Sequence, residues 1–487
     1  MTPQHPRLPD ELVTRIDDLF RRRVEQGTAP STAWGVFDRS GLLVSGGHGD
    51  RGDGRAPDAD TVYRIASCTK SVTAATLLTL VAAGRLSLDD PITDFVPAFA
   101  DVPLPSPDSP VPTLRMLLTM SAGLPTDDPW ADRQEPISDA AFDAVLRDGL
   151  LFDSIPGTRF AYSNTGYALL GRAVSAAAGR PFAEVAADAV LRPLRLDSTT
   201  FSAAESPGFV VTGHRPHGDV WEPLPTTGPG AFSPIGGLFS TVSDLARWAA
   251  HLAAAFDDDP AGTPDGAHSP VSRADRRLMQ QAVRVVPSAV LPGATRATAY
   301  GLGLFVEQDD RHGELVSHSG GYPGFSAHMR WSVRDGLGVV AFENATQAKV
   351  SVGAAQAHDL LLDALSRPAS EAVPTALQPT VAATRRAQRA VSRLLADWRD
   401  DVADALFTPN VAQDVPYDRR RRAVAQAVAE VGADLTAEPV EERSTTPTHL
   451  RWWLPGTSGR LRVEIRLAPL AAGLVQTLTV TAEPSER

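Results

Sequence analysis

Cysteine occurs once in the 487 residues, at Cys68, so no intramolecular disulfide can form and the composition fits a reducing compartment. Lysine is almost missing: of 46 basic residues only Lys70 and Lys349 are lysines. No uninterrupted apolar run approaches the length needed to cross a bilayer. The start, MTPQHPRLPDELVTRIDDLFRRR, lacks a basic segment followed by an apolar stretch and a small-residue cleavage site, so the expected location is cytoplasmic. Positive charge is in deficit, with a net charge of −12, and such a surface repels phosphate backbones and anionic headgroups. Neither nucleic acid nor a membrane is an expected partner. The 11 histidines include no H-E-x-x-H, and His214 and His217 are expected in a Pro/Gly-rich loop without nearby cysteine, so no metal and no other cofactor is expected.

What is present is an ordinary globular mixture, 43% hydrophobic and 21% charged, in a chain long enough for two or more domains. Apolar residues at helical spacing over 10–27, between a Pro-Asp start and Gly27, predict an amphipathic first helix. Strand-like runs at 32–38 and 42–47 flank a turn and read as a hairpin. Helical stretches and Pro/Gly-rich loops alternate over 66–260, strand-like runs return near 300–306, 314–318, 325–331 and 337–343, and a helix is expected at 351–366. Pairing the early hairpin with the late strands gives one antiparallel sheet, with the middle region as a helical subdomain and a cleft between them. The acidic, breaker-rich stretch 255–270 is expected to be a surface loop without chemistry.

Residues 367–381 are rich in Pro, Ala, Ser and Thr and mark a linker after a first domain spanning 1–366. A small α+β domain over 382–487 is expected to follow, with helices at 382–406 and 417–432 and strands at 447–454, 459–468 and 473–483. Its run Arg419 to Arg422 reads as a solvated helix face, and the domain shows no catalytic constellation.

Three short segments carry candidate chemistry. In RIASCTKSVTAATLLTLVAAGRL, Ser67 and Lys70 lie three apart at the start of a predicted helix and share a face. A serine is a weak nucleophile until a neighbouring base takes its proton, and a desolvated amine can do so where a guanidinium cannot. The helix start also favours a developing oxyanion. The bland alternative is a capping serine followed by a surface lysine. In PGTRFAYSNTGYALLG, an extended chain would point Tyr162 and Asn164 the same way, and a phenol beside an ammonium is expected to ionise more readily and to pass a proton to a leaving group. In ELVSHSGGYPGFSAHMRWS, His318, Ser319, Gly320 and Gly321 are expected to end a strand and open a turn, with glycines that admit a substrate backbone and a histidine that can donate or carry charge.

Each segment is common alone. Their order, with 95 residues from Ser67 to Tyr162 and 156 from Tyr162 to His318, resembles the serine β-lactamase and penicillin-recognising hydrolases. The similarity is to the branch of class C β-lactamases, DD-peptidases, D-aminopeptidases and related esterases. It covers about 10–365 and extends to LSLDDPITDFVP (86–97), LLTMSAGLP (117–125), LRPLRLDSTTF (191–201) and IGGLFSTVSDLARW (235–248). The resemblance implies a mixed α/β fold with an antiparallel sheet flanked by helices and an inserted helical subdomain. It also implies Ser67 as nucleophile, Lys70 as proton acceptor, Tyr162 as general acid/base and Asn164 as a positioning amide. Backbone N–H groups of Ser67 and Gly321 would form the oxyanion hole, with Ser319 and Gly320 lining the substrate.

His318 stands where many relatives carry the lysine of K-T-G, which weakens recognition of a substrate carboxylate and argues against β-lactam or D-Ala-D-Ala turnover. Cys68 diverges from Ser67 around the helix and is expected in the core. The expected activity is hydrolysis of an ester or amide through an acyl-Ser67 intermediate, with a carboxylesterase ranked first. A D-amino-acid peptidase or an acyl-transferring peptide cyclase is the alternative, and a ligand-binding protein without turnover the third. A small-molecule ester or peptide is the expected partner. Oligomeric state leaves no mark in these patterns.

Overall fold

The computed structural model describes residues 8–257, 269–288, 296–365 and 380–485. The chain divides into two compact units, 1–366 and 367–487. Most of the expected surface loop at 255–270 and of the expected linker at 367–381 lies outside the described residues. Among the described residues no helix is long and apolar enough to cross a membrane.

The first unit is organised by an eight-stranded antiparallel sheet. Its strands in chain order are β1 (Ser31–Asp38), β2 (Gly41–Gly49), β3 (Arg284–Val285), β4 (Ala297–Tyr300), β5 (Phe305–Asp309), β6 (Gly313–Tyr322), β7 (Phe325–Ser332) and β8 (Gly338–Glu343). Their spatial order is β2-β1-β8-β7-β6-β5-β4-β3, so the first hairpin pairs with the last strand, Thr32 opposite Glu343 and Phe37 opposite Gly338. β1, β7 and β8 are buried along nearly their whole length, which is why they read as continuous apolar runs, whereas β2 is only half-buried.

Both faces of the sheet are covered. The amphipathic helix α1 (Asp10–Glu25) sets Leu12, Ile16 and Phe20 on one face beside Trp34, Val36 and Val339, with the ring of Phe20 stacked on Trp34 at 5.7 Å. The other face meets the helical region, whose central helix α2 (Thr69–Ala82) is buried around almost its entire circumference. α3 (Asn164–Ala178) is capped by Ser163, whose hydroxyl accepts the Gly166 N–H, and it stops at Gly179 in the left-handed conformation. α4 (Val242–Ala253) starts at the Thr241 cap, and α5 (Val350–Leu365) closes the unit.

The strands depart from the sequence reading in three places. The run expected at 300–306 straddles a turn between β4 and β5, where Gly303 has φ +78° and a Cβ would sit 2.7 Å from the carbonyl oxygen of Lys70. The strand expected to end at His318 continues as β6 through Tyr322, its glycines being strand residues rather than a turn. His214 and His217 lie on a short strand paired with Val220–Pro223, not in a loop.

The second unit packs helices on one face of a four-stranded antiparallel sheet, β9 (Glu441–Arg443), β10 (His449–Gly456), β11 (Gly459–Leu467) and β12 (Val475–Pro484). Leu450, Trp452, Leu454, Leu461, Val463 and Ile465 alternate into its core. The helix expected at 382–406 breaks into α6 (Ala382–Ala396) and α7 (Asp400–Leu406), because Asp397 is non-helical and Asp400 and Asp401 open a new first turn. α8 (Asn410–Asp414) and α9 (Tyr417–Val431) follow. Within the arginine run, Arg420 turns inward and donates to the carbonyls of Leu478 and Val411, so only part of that face is solvated.

Candidate active site

Ser67 does not sit on the helix itself but in a single 3₁₀ turn, Ala66–Cys68, that leads into α2. Ala66 before it has φ +45°, a left-handed conformation that costs a non-glycine residue roughly 1–3 kcal/mol. The fold holds that kink: Ile65 N–H donates to the Leu238 carbonyl at 2.9 Å, and Gly320 of β6 lies so close that a Cβ there would be 2.3 Å from the Ile65 oxygen. Gly320 is therefore a packing requirement under the turn that carries Ser67.

Lys70 is fully buried in the first turn of α2. Its Nζ lies 3.0 Å from Ser67 Oγ, 2.6 Å from Asn164 Oδ1 and 2.8 Å from the Ile235 carbonyl. An ammonium satisfies all three acceptors with its three protons. A neutral amine keeps two and turns its lone pair to the Ser67 hydroxyl. Burial lowers the pKa of Lys70 to about 8, against the opposing charges of Asp128, Asp132 and Asp127. Lys349, the other lysine, is exposed.

Asn164 is the first residue of α3, and its amide is oriented from behind: Nδ2 donates to Asp128, which leaves Oδ1 facing Lys70. Asp127 accepts the backbone N–H of Asn164 at 2.8 Å and of Thr165 at 2.7 Å, and the Thr165 hydroxyl at 2.7 Å. A carboxylate on a helix N-terminus both satisfies orphan donors and opposes the dipole. Asp132 is buried beside them, and desolvation followed by the charge of Asp128 pushes its carboxyl up to about 7. These aspartates escaped the sequence reading. The available signal was the paired acid of TDDP directly after LLTMSAGLP.

Tyr162 is half-buried, with its ring centroid 5.0 Å from Lys70 Nζ and its ring stacked parallel to Phe305 at 6.4 Å. The expected ease of ionisation is not found. Burial, then the charge of Asp128, hold its phenol well above the ordinary range, and a hydrogen bond with Ser67 only partly offsets them.

His318 is buried inside β6. Its Nδ1 donates to the Ser319 carbonyl at 2.7 Å, and its Nε2 accepts from the Tyr300 hydroxyl at 3.1 Å. Burial and the neighbouring Lys70 lower its pKa to about 3, so it is neutral and supplies no charge near neutral pH, contrary to the sequence expectation. Ser319 and Gly321 are exposed, and a Cβ on Gly321 would meet nothing within 4 Å. Cys68 is buried as expected, its Sγ donating to the His318 carbonyl at 3.3 Å and its thiol pushed up to about 12 by burial.

A buried ion pair braces the wall behind the turn. Arg64 pairs with Glu135, donates from Nε to the Gly236 carbonyl at 3.1 Å and lies 3.6 Å over the Tyr322 ring, while the Tyr322 hydroxyl donates to Glu135 at 3.0 Å. Removing one partner of such a pair leaves an uncompensated buried charge. The geometry thus gathers Ser67, Lys70, Tyr162, Asn164 and His318 around one point, with Ser319 and Gly321 on an exposed strand segment and Gly320 beneath the turn.

Known proteins share sequence and fold with most of this chain. Protein flp of Staphylococcus aureus (strain MW2) is 25% identical over 355 residues, which cover 69% of this chain and 64% of that protein, so the chain spans just under two thirds of that relative's length. The D-alanyl-D-alanine-carboxypeptidase/endopeptidase AmpH of Escherichia coli (strain K12) is 26% identical over 342 residues, 67% of this chain and 83% of that protein. The fold is shared with the octameric penicillin-binding protein homologue from Pyrococcus abyssi, at 20% identity and TM-score 0.61 over 97% of this chain and 98% of that one. It is shared also with EstCE1, a hydrolase with promiscuous acyltransferase activity, at 19% identity and TM-score 0.59 over 72% and 98%. The Beta-lactamase family model matches residues 16–363, and the chain belongs to that family.

Proposed function

We propose that the chain is a serine hydrolase that cleaves an ester or amide through an acyl-Ser67 intermediate, with carboxylesterase-type activity. The observation that carries this reading is Lys70: a buried amine with a lowered pKa, 3.0 Å from Ser67 Oγ. Ser67 Oγ attacks the carbonyl carbon as its proton passes to Lys70 Nζ. The oxyanion is received by the N–H groups of Ser67 and Gly321. Collapse breaks the bond to the leaving group, which takes a proton from the phenol of Tyr162, and Lys70 restores that proton. Water then attacks the acyl ester by the reverse sequence and frees Ser67. Asn164 keeps Lys70 aimed at Ser67. A neutral His318 offers no charge to a substrate carboxylate, which favours small esters over D-amino-acid peptides ending in a free carboxylate. An amine in place of water would make the same acyl-enzyme a transferase, in line with the acyltransferase activity named for EstCE1.

Intact-mass measurement after incubation with a fluorophosphonate tests the intermediate: one adduct, on Ser67, is expected. Folded protein with no adduct would overturn the enzyme reading. A panel of p-nitrophenyl esters and D-amino-acid amides then separates esterase from peptidase.

A further inference from the structure

β5 pairs with β6 only as far as Ser317, opposite Phe305, so from His318 to Tyr322 that edge of β6 has no neighbouring strand among the described residues. The unpaired segment is the one packed on the turn of Ser67, and an extended acyl group can lie along it. Ser319 is exposed there. Its hydroxyl has a protein partner that the proposed mechanism does not use, Nδ1 of His328 at 2.9 Å, on β7 directly across the ladder.

His328 is buried, and its Nε2 has no hydrogen-bond partner among the described residues. A neutral imidazole carries one N–H. If that proton were on Nε2, a donor would be orphaned in the core. With the proton on Nδ1 only a lone pair is left unmatched, and buried N–H groups without acceptors are the rarer and costlier case. Burial, with Arg330, His318 and His358 nearby, keeps the ring neutral.

We propose that His328 is a positioning residue whose Nδ1–H donates to Ser319 Oγ, so that the Ser319 hydroxyl turns its own proton to the cleft and binds an oxygen acceptor of the substrate. The contact selects a carbonyl or carboxylate oxygen at that point and disfavours an ammonium or amide N–H. The inference rests on the proposed hydrolase reading for its consequence in substrate choice, but not for the tautomer itself.

Two measurements test it. In the full chain labelled with ¹³C,¹⁵N-histidine, long-range ¹H–¹⁵N correlation reads the tautomer, with His328 assigned from the resonances lost in His328→Gln. Protonated Nδ1 and bare Nε2 are expected, and the reverse pattern or a charged ring at neutral pH overturns the proposal. The second is a double-mutant cycle on p-nitrophenyl esters whose acyl chains either carry an added carbonyl or carboxylate oxygen or are plain alkyl. His328→Leu is expected to raise KM about tenfold more for the oxygen-bearing esters, and His328→Asn, whose amide can donate from a similar place, to recover most of that difference. In a Ser319→Ala background His328→Leu adds no further discrimination. Equal losses on both ester classes, or full additivity with Ser319→Ala, overturn the proposal. If no ester is turned over at all, the hydrolase reading falls and the tautomer measurement decides this one alone.

Discussion

The two units use charge in opposite ways. Around Ser67, Lys70 is wholly buried, its nearest hydrogen-bond partners are neutral oxygens, and carboxylates stand one shell further out at Asp127, Asp128 and Asp132. On the outer face of the second unit's sheet, Arg443, Arg451 and Arg460 surround the Trp453 ring at 5.4, 6.0 and 5.0 Å, and Glu441, Glu464 and Glu483 pair with them in partly exposed salt bridges. Charge matched at contact distance and left wet contributes little stability. Charge buried without a contact counter-ion is poised to change its protonation state. The first arrangement suits chemistry, and the second suits a soluble sheet face.

The sharpest way to break that comparison is to remove the titrating amine. Lys70→Gln keeps a polar side chain but no base, and acylation of Ser67 by an activated ester is expected to slow about 10³-fold or more, read by stopped-flow release of p-nitrophenol. In the parent protein the acylation rate should rise with pH through about 8, as Lys70 loses its proton. A flat profile from pH 6 to 9 would remove Lys70 from the role of base.

A second test uses a buried histidine that has no counter-ion of its own among the described residues. His358 on α5 donates from Nε2 to the Leu337 carbonyl at 3.0 Å, and burial followed by the Arg330 charge lowers its pKa to about 3. Its unfolded value is near 6.5. Between those values the unfolded chain binds a proton that the folded one refuses, so its contribution is intact above pH 6.5 and lost as pH falls below it. His358→Gln should therefore flatten the decline of the first unit's stability below pH 6.5 by up to about 1.4 kcal/mol per pH unit, measured by denaturant midpoints from pH 7 to 4.5. In the second unit the carboxyls of Glu464 and Glu483 are lowered, net of burial that opposes the shift, by hydrogen bonds from His449 and Arg451 and from Trp453 and Arg460. Their contribution is present above about pH 4.5 and lost only as pH falls below it, so the two units should respond to acid in different windows.

Asp128→Asn tests the layer behind Lys70. The new amide no longer fixes which end of Asn164 faces Lys70, and the charge that raises the lysine pKa is gone. A loss of about tenfold in kcat/KM is expected, with the acid limb of the pH profile moved to lower pH. An unchanged limb would show that the Asp128 charge does not reach Lys70.

Much of this was legible because Ser67 and Lys70 are three residues apart, and the scarcity of lysine drew attention to Lys70. Tyr162, Asn164 and His318 were legible through short motifs with fixed order. What escaped depends on distance along the chain. Asp127 acts on backbone N–H groups 37 and 38 residues later, and no local pattern records that. The neutrality of His318 follows from Tyr300, Phe305 and Lys70 packing around it, and burial is not a property of an H-S-G string. Glycine misled in both directions: in β6 it read as a turn and proved to be a strand residue pressed against Ile65, while Gly303 hid a real turn inside an apparent strand. In the second unit the apolar period ran across Asp397, and only the new first turn at Asp400 shows where α6 stops.

The smallest expected effect belongs to the second unit's charged face. Arg460 donates from Nε to Glu483 at 2.9 Å and from Nη1 to Glu441 at 2.8 Å, and it covers Trp453, yet its side chain is 42% exposed. Glu483 keeps Trp453 Nε1 at 2.8 Å and Arg462 at 3.2 Å when Arg460 is gone, so neither carboxylate nor indole is orphaned. Arg460→Ala should therefore cost no more than about 1 kcal/mol, seen as a small shift in the second unit's denaturant midpoint, with acylation of Ser67 by p-nitrophenyl acetate unaltered. A loss of about 3 kcal/mol or more would mean that this face behaves like a buried pair, and the contrast between the two units would then rest on burial of Lys70 alone.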